Sequence, residues 1–308
     1  MKRIILIAAV GSLITSNPAV GKDSQLRVLK PSTPWNLNYG TNSCRLARVF
    51  GSGDEQVAFY IEKYGISSDF TLLIAGKSIS SVLDPSAKLR FSNGGGATNL
   101  TGGDFGTFGP SLFSTSATLN PATFAKQEDR AKLRRLMRST YSKDAESLPD
   151  DEDLAPAALH QITWVELLRG KRTVRLMTGP WDATMAAMDK CVDDLVRTWG
   201  VDPAELKSIK SGPTPSDNFR ISVVRRIIDH YPHAAVSNHT EANLSARLTI
   251  DTKGHVEACE LTDITDAKDF DDYPCEVFKK YGQFSPAVDA NGNAVKSIYR
   301  TKILYRFG

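Results

Sequence analysis

No stretch of this 308-residue chain is both long and apolar enough to span a bilayer. The best candidate, Ile4 to Ile14, is interrupted by Thr15, Ser16, Asn17 and Pro18, whereas a membrane-crossing helix needs roughly twenty apolar residues. The four cysteines, Cys44, Cys191, Cys259 and Cys275, form no CxxC or CxxCH, which removes thioredoxin-like redox chemistry and c-type haem attachment. They are also too dispersed for a structural zinc cluster. GxSxG, SxxK and HExxH are all absent, and with them the common hydrolase and metalloprotease constellations. The Gly-rich stretch Ser92 to Pro110 fits neither a P-loop nor a dinucleotide fingerprint; it reads as a loop or a set of hairpins. Histidine is scarce, at five residues. The densest group, His230, His233 and His239, has Pro232 inside it, which prevents a helical presentation, and no fixed acidic or cysteine partner. No catalytic, metal or cofactor site is expected, and the chain is not read as an enzyme.

What is present begins with a leader. Met1-Lys2-Arg3, the apolar run and the small residues Ala19-Val20-Gly21 make a secretory signal peptide, with cleavage expected near Gly21 and export to the periplasm. An uncleaved inner-membrane anchor is the alternative. Losing residues 1–21 removes two basic and no acidic residues, so the net charge falls from +3 to near +1. That balance argues against general nucleic-acid or membrane-surface binding. In an exported chain, four thiols suggest two disulfides, with three connectivities open.

The expected organisation is α+β. After residues 1–21, a β-rich domain with packed helices covers 22–206, a linker 207–218, and a small domain 219–308. Cys44–Phe50, Gln56–Glu62 and Phe70–Ala75 are strand-like runs separated by turns at Gly51–Asp54 and Gly65–Asp69. Such spacing suggests an antiparallel meander or sandwich. Pro121 to Tyr141 has helical composition, with Leu133, Leu136 and Met137 as its apolar positions. Its cations Lys132, Arg134, Arg135 and Arg138 precede the acidic stretch Asp144 to Asp153, which neutralises them. Thr173–Met177 alternates as a strand. From Trp181 to Trp199, Met185, Met188, Val192, Leu195 and Trp199 recur at three- and four-residue spacing, one stripe of a helix that Gly200 ends. Ser208, Ser211, Gly212, Pro213, Pro215 and Ser216 mark the linker.

Four elements follow. Ala242–Asp251 is a strand with Leu244, Ala246, Leu248 and Ile250 on one face; Asp251-Thr-Lys-Gly254 turns it into a second strand, His255–Ile264. Phe270–Tyr281 suits a helix whose regular part starts after Tyr273 because of Pro274. The last strand, Val295–Phe307, places Ile298, Arg300, Lys302, Leu304 and Arg306 on one face. Tyr299, Thr301, Ile303, Tyr305 and Phe307 lie on the other.

This order of β-hairpin, helix and β-strand, with Tyr231-Pro232, Leu248-Thr-Ile-Asp251, Gly254-His-Val256, Phe284-Ser-Pro286, Asp289-Ala-Asn-Gly292 and Tyr305-Arg-Phe307, resembles the C-terminal domain of the TonB family. The resemblance covers about residues 230–308 and does not reach the first domain. It implies a Cys259–Cys275 disulfide, seen in a subset of such domains, which leaves Cys44 with Cys191. It also implies a peptide-binding edge. The family's domain takes up an extended segment of an outer-membrane transporter by β-augmentation, in which main-chain hydrogen bonds give affinity. Here the edge would be Ser297 to Tyr305, that is Ser297, Ile298, Tyr299, Arg300, Thr301, Lys302, Ile303, Leu304 and Tyr305. The competing reading is that this strand only completes the sheet and protects its own edge.

One departure matters. An energy-transducing TonB keeps an N-terminal membrane helix and a long Pro-rich spacer, whereas this chain reads as a cleavable leader followed by a folded domain. The expected function is therefore a periplasmic binding or adaptor protein with an envelope protein or peptide as partner, a TonB-dependent transporter being one candidate. The alternatives are an energy transducer that keeps residues 1–20 as an anchor, and a periplasmic enzyme with a TonB-like docking module.

Overall fold

The computed structural model describes residues 25–84, 86–136, 154–263 and 269–307. The leader, Met137, Arg138, the acidic stretch and the side chains of Leu133, Arg134, Arg135 and Leu136 lie outside what it describes.

The architecture is α+β. Eleven strands of the N-terminal region form one sheet: β1 Gln25–Leu29, β2 Asn36–Tyr39, β3 Cys44–Phe50, β4 Val57–Lys63, β5 Asp69–Ala75, β6 Lys88–Phe91, β7 Gly96–Ala97, β8 Thr101–Asp104, β9 Pro110–Thr118, β10 Val165–Arg169 and β11 Arg172–Leu176. Their order is β1-β11-β10-β6-β7-β9-β5-β4-β3-β2, with β8 also on β9. Only β1–β11 is parallel. The carbonyls of Leu29 and Lys30, adjacent in the chain and so on opposite edges of one strand, accept from the Met177 and Gly51 amides at 3.0 and 2.9 Å. Pro31 then bridges to Phe50. The chain from β1 to β2 thus borders both β11 and β3, and the meander expected from the sequence returns on itself. The Gly-rich stretch supplies β7 and β8. A side chain at Gly96 would collide with the Leu89 carbonyl and the Phe124 ring, so the glycine allows close approach rather than binding an anion.

Three of the described α-helices belong to this region: α1 Pro121–Leu136, α2 Pro156–His160 and α3 Asp182–Thr198. The apolar stripe of α3 buries Met185, Met188, Cys191, Val192, Leu195 and Val196, joining a core with Phe50, Phe59, Phe91 and Trp181. The Trp181 ring is fully buried. It meets Trp35, Phe59 and Phe91 edge-on at 5.5–6.1 Å, and its Nε1 donates to Thr178 Oγ1 at 2.8 Å. A disulfide ties Cys44 of β3 to Cys191 of α3.

The helix α4 Pro203–Lys207 leads to β12 Ile209–Ser211 and β13 Thr214–Pro215. The stretch expected as a linker is therefore not free chain. Its extended Ser- and Pro-rich backbone finds partners in β17 and β16 of the C-terminal domain, which satisfies groups that a bare linker would leave to water. Next come α5 Arg225–Asp229, α6 His233–Asn238, β14 Ala242–Ile250, β15 Val256–Asp263, α7 Tyr273–Tyr281, β16 Phe284–Ser285, β17 Ala287–Asp289, β18 Ala294–Val295 and β19 Ser297–Tyr305. The three long strands make an antiparallel sheet in the order β15-β14-β19. A second disulfide joins Cys259 of β15 to Cys275 of α7, so both pairings are those that the family resemblance implies. Gly254, at φ +84°, closes the β14–β15 turn, and any Cβ there would overlap the Phe284 carbonyl.

The sheet has a core of its own. Leu244, Ala246, Leu248 and Ile250 of β14 pack with Val277, Phe278 and Phe284. The opposite face of β14 is also buried, with Arg247 and Thr249 only 6% and 2% exposed, because the N-terminal region covers it. The Arg247 guanidinium pairs with Glu260 and lies 4.2 Å over the Trp199 ring. Arg300 lies 4.7 Å over Tyr64 and donates to its carbonyl at 3.1 Å. Asn42 donates to Thr262, and the Lys296 amide to Glu205. This seam between the two cores is polar and ring-stacked.

Candidate functional site

The strand β19 pairs with β14 along its whole length, from Ser297 opposite Ile250 to Tyr305 opposite Ala242. Among the described residues, no strand pairs with its other edge. An antiparallel edge strand turns the N–H and C=O of alternate residues outward, so β19 carries a row of unpaired main-chain groups. The alternation read from the sequence decides what each side chain meets. Tyr299, Ile303 and Tyr305 enter the C-terminal core, with Tyr299 4.9 Å from Phe284 and Tyr305 4.8 Å from Phe270. On the other face Ile298 packs on the N-terminal core and Arg300 on Tyr64. Lys302 and Leu304 emerge into solvent, while Ser297 is fully buried.

The second half of the nine-residue edge faces an opening. A groove of about 340 Å³ runs beside Thr301, Lys302, Ile303, Leu304, Tyr305 and Arg306, and Ser297–Arg300 lie outside it. Its opposite wall comes from the helical stretch that begins with a π turn, Arg220–Val224, and continues into α5. Phe219, Val223 and Ile227 anchor this stretch in the core. A second apolar row remains in solvent: Ile221 and Ile228 are each 68% exposed and Val224 38%.

This wall was missed from the sequence, where no element was read between Asn218 and Tyr231. The signal was there. Phe219, Val223 and Ile227 recur every four residues, and Ile221, Val224 and Ile228 repeat the pattern one face away, as an amphipathic helix with a second apolar row requires.

No carboxylate lines the groove, whereas Lys302 and Arg306 do. Arg306 is 3.5 Å from Glu241; Lys302 has no ion-pair partner among the described residues. Burial, then Asp271 and the neighbouring Tyr273 and Tyr231, pushes the Tyr305 hydroxyl up to about 12. Tyr64 in the seam is also pushed up to about 12, first by burial and then by Glu62, whose carboxylate accepts its hydroxyl at 3.1 Å. Neutral tyrosine is the favoured folded form, so this stabilisation is complete below pH 10 and is lost as pH rises through 12. Tyr64→Phe and Tyr305→Phe are each expected to flatten the decline in urea midpoint between pH 10 and 12. Unchanged slopes would show that other groups set it.

The histidines are dispersed in role. His230 stacks on Tyr273 at 3.7 Å, His239 packs near Phe307, and His233 opens α6. No described helix is long and apolar enough to cross a membrane. No curated protein matches the chain. Residues 229–307 match the family described as the Gram-negative bacterial TonB protein C-terminal, so the sheet of β14, β15 and β19 with α6 and α7 is a TonB C-terminal domain, while all of α5 but its last residue, and everything before it, lie outside the match.

Proposed function

We infer that this chain is a binding or adaptor protein of the bacterial envelope, without enzymatic activity. Its C-terminal domain takes up an extended segment of an envelope or outer-membrane protein as a fourth strand beside β19. A TonB-dependent transporter is one candidate partner. The observation that carries this reading is the unpaired second edge of β19 opening onto an apolar groove. The family match supports it, since it points to protein–protein interaction in the envelope. Main-chain groups offered by the edge would supply affinity, and the groove would select alternate side chains.

The reading includes export with removal of a leader near Gly21, leaving a periplasmic protein. A mature N-terminus at Lys22 by mass spectrometry is the expected result. An intact Met1 in the membrane fraction would favour an anchored energy transducer instead.

The binding test uses the full chain with a photo-crosslinking residue at Leu304, which is 58% exposed. It is expected to join an extended segment of an envelope protein, mapped by mass spectrometry. Thr301→Pro and Lys302→Pro then ask whether the edge is responsible. Adjacent residues direct their N–H to opposite sides, so one variant loses an outward donor and the other a bond to β14. The first is expected to keep the native Tm and lose capture; the second lowers Tm. Capture at wild-type level in both would exclude strand addition.

A further inference from the structure

We propose that the helical stretch Arg220–Asp229 is a docking surface for an anionic phospholipid bilayer, lying with its axis along the plane of the headgroups. Two faces of this stretch are apolar. Phe219, Val223 and Ile227 fill the C-terminal core, while Ile221, Val224 and Ile228, spaced i, i+3 and i+7, stay in solvent. Ile221 and Ile228 keep 68% of their surface, and no other large apolar side chain among the described residues is as exposed. Ile221 lies outside the groove, so the row stands on a ridge rather than in a hollow. A protein partner would need a matching cleft to bury such a ridge, whereas a fluid bilayer takes it up without one. Arg220 to Ile228 precede the matched residues 229–307, so the ridge belongs to this chain and not to the matched domain.

The charge around the row selects the lipid. Arg220 and Arg225 flank it on the helix, both exposed. Arg220 has no ion-pair partner among the described residues. Arg225 has Asp229 at 3.7 Å, a pair whose side chains are 75% and 69% exposed; so open a pair holds little and yields its guanidinium to a phosphate. Arg226 lies 4.2 Å over Tyr281, and Lys302 and Arg306 stand on the far wall of the groove. Asp217, Asp229 and Glu241 oppose these five cations, leaving an excess of two positive charges. An apolar row between long basic side chains is the pattern of a helix in a membrane interface: the apolar groups enter the acyl boundary and the guanidinium groups reach headgroup phosphates. The chain as a whole carries only +3 over 308 residues, so the attraction is local to this ridge. A second copy of the chain is disfavoured, because two ridges face to face would bring Arg220 and Arg225 of each together.

The test is co-sedimentation of the full oxidised protein with vesicles of phosphatidylcholine alone and of equal parts phosphatidylcholine and phosphatidylglycerol. In low salt the anionic vesicles are expected to take up about tenfold more protein, and the difference to vanish in about 1 M salt. Ile221→Asn/Ile228→Asn is expected to abolish uptake at native Tm. Arg220→Gln/Arg225→Gln should lower it by about fivefold, also at native Tm. Because Ile221 lies outside the groove, Ile221→Asn alone should weaken uptake and leave capture from Leu304 unchanged, so this surface and strand addition fail separately. Equal uptake by the two vesicle types, uptake by neither, or wild-type uptake by Ile221→Asn/Ile228→Asn overturns the proposal. A dimer in sedimentation that the same variant dissolves overturns it in favour of a second copy. A photo-crosslinking residue at Ile221 that joins an envelope protein and no lipid overturns it in favour of a protein partner.

Discussion

Replacing Cys44 and Cys191 together with alanine is expected to lower the unfolding free energy of the N-terminal region by about 4–5 kcal/mol. The bridge joins residues 147 apart in sequence, and in the chain-entropy description the constraint on the unfolded state grows with loop length. Both sulfurs are fully buried between β3 and α3, so their loss also removes packed atoms at the junction of sheet and helix. The Cys259–Cys275 bridge closes a span of only 16 residues; removing it should cost less, about 3 kcal/mol, and in the other core. Urea unfolding followed by tryptophan fluorescence separates the two effects, because Trp35, Trp164, Trp181 and Trp199 all lie in the N-terminal region. A Cys44→Ala/Cys191→Ala variant with an unshifted fluorescence midpoint would mean that the unfolded chain is already compact around this pair.

Trp181→Ala is expected to cost about 3–5 kcal/mol, the range for emptying a large buried aromatic site. Three aromatic rings surround it, and none can follow a missing indole without abandoning its own contacts, so the cavity persists. Thr178, itself only 1% exposed, would also lose the indole N–H bonded to its hydroxyl. Trp181→Phe refills part of the volume and not the hydrogen bond, so it should fall between wild type and alanine. Equal midpoints for the phenylalanine and alanine variants would place the cost in the lost hydrogen bond rather than the cavity.

Local periodicity was legible in the sequence, and contacts across the chain were not. The stripe of α3, the stop at Gly200, the β14–β15 hairpin and the start of α7 at Tyr273 follow from spacing and from Gly and Pro chemistry. The alternation of β19 correctly separates Tyr299, Ile303 and Tyr305 from Ile298 and Arg300. It does not tell that Arg300 rests on Tyr64, or that Arg247 and Thr249 are buried: a polar residue opposite an apolar face normally reads as solvent-facing. Here the N-terminal region covers that face, and stacking on Trp199 with Glu260 alongside makes the burial of Arg247 tolerable. Composition alone marked 207–218 as a linker, because strands of two or three residues such as β12 and β13 have too few positions to show a period. Their partners, β16 and β17, lie far along the chain. That the last strand lies at the edge of its sheet was legible, while which half of it faces the groove was not, since that depends on α5 and on the covering N-terminal region.

The parallel pairing of β1 with β11, which sets Gln25 beside Arg172, also has a kinetic consequence. The first described strand to emerge has to wait for the last strand of its sheet before it has a neighbour on that edge, and α3, with the cysteine that meets Cys44, comes later still. Such non-local closure pays its chain entropy before any contact repays it, which places folding toward the slow, millisecond-to-second end of the range for single domains. Until then the chain from Gln25 onward is an unpaired strand bearing the exposed apolar residues Leu26 and Val28. Refolding yield should therefore fall as protein concentration rises, even at native stability, and the half-made sheet is where association between chains would begin.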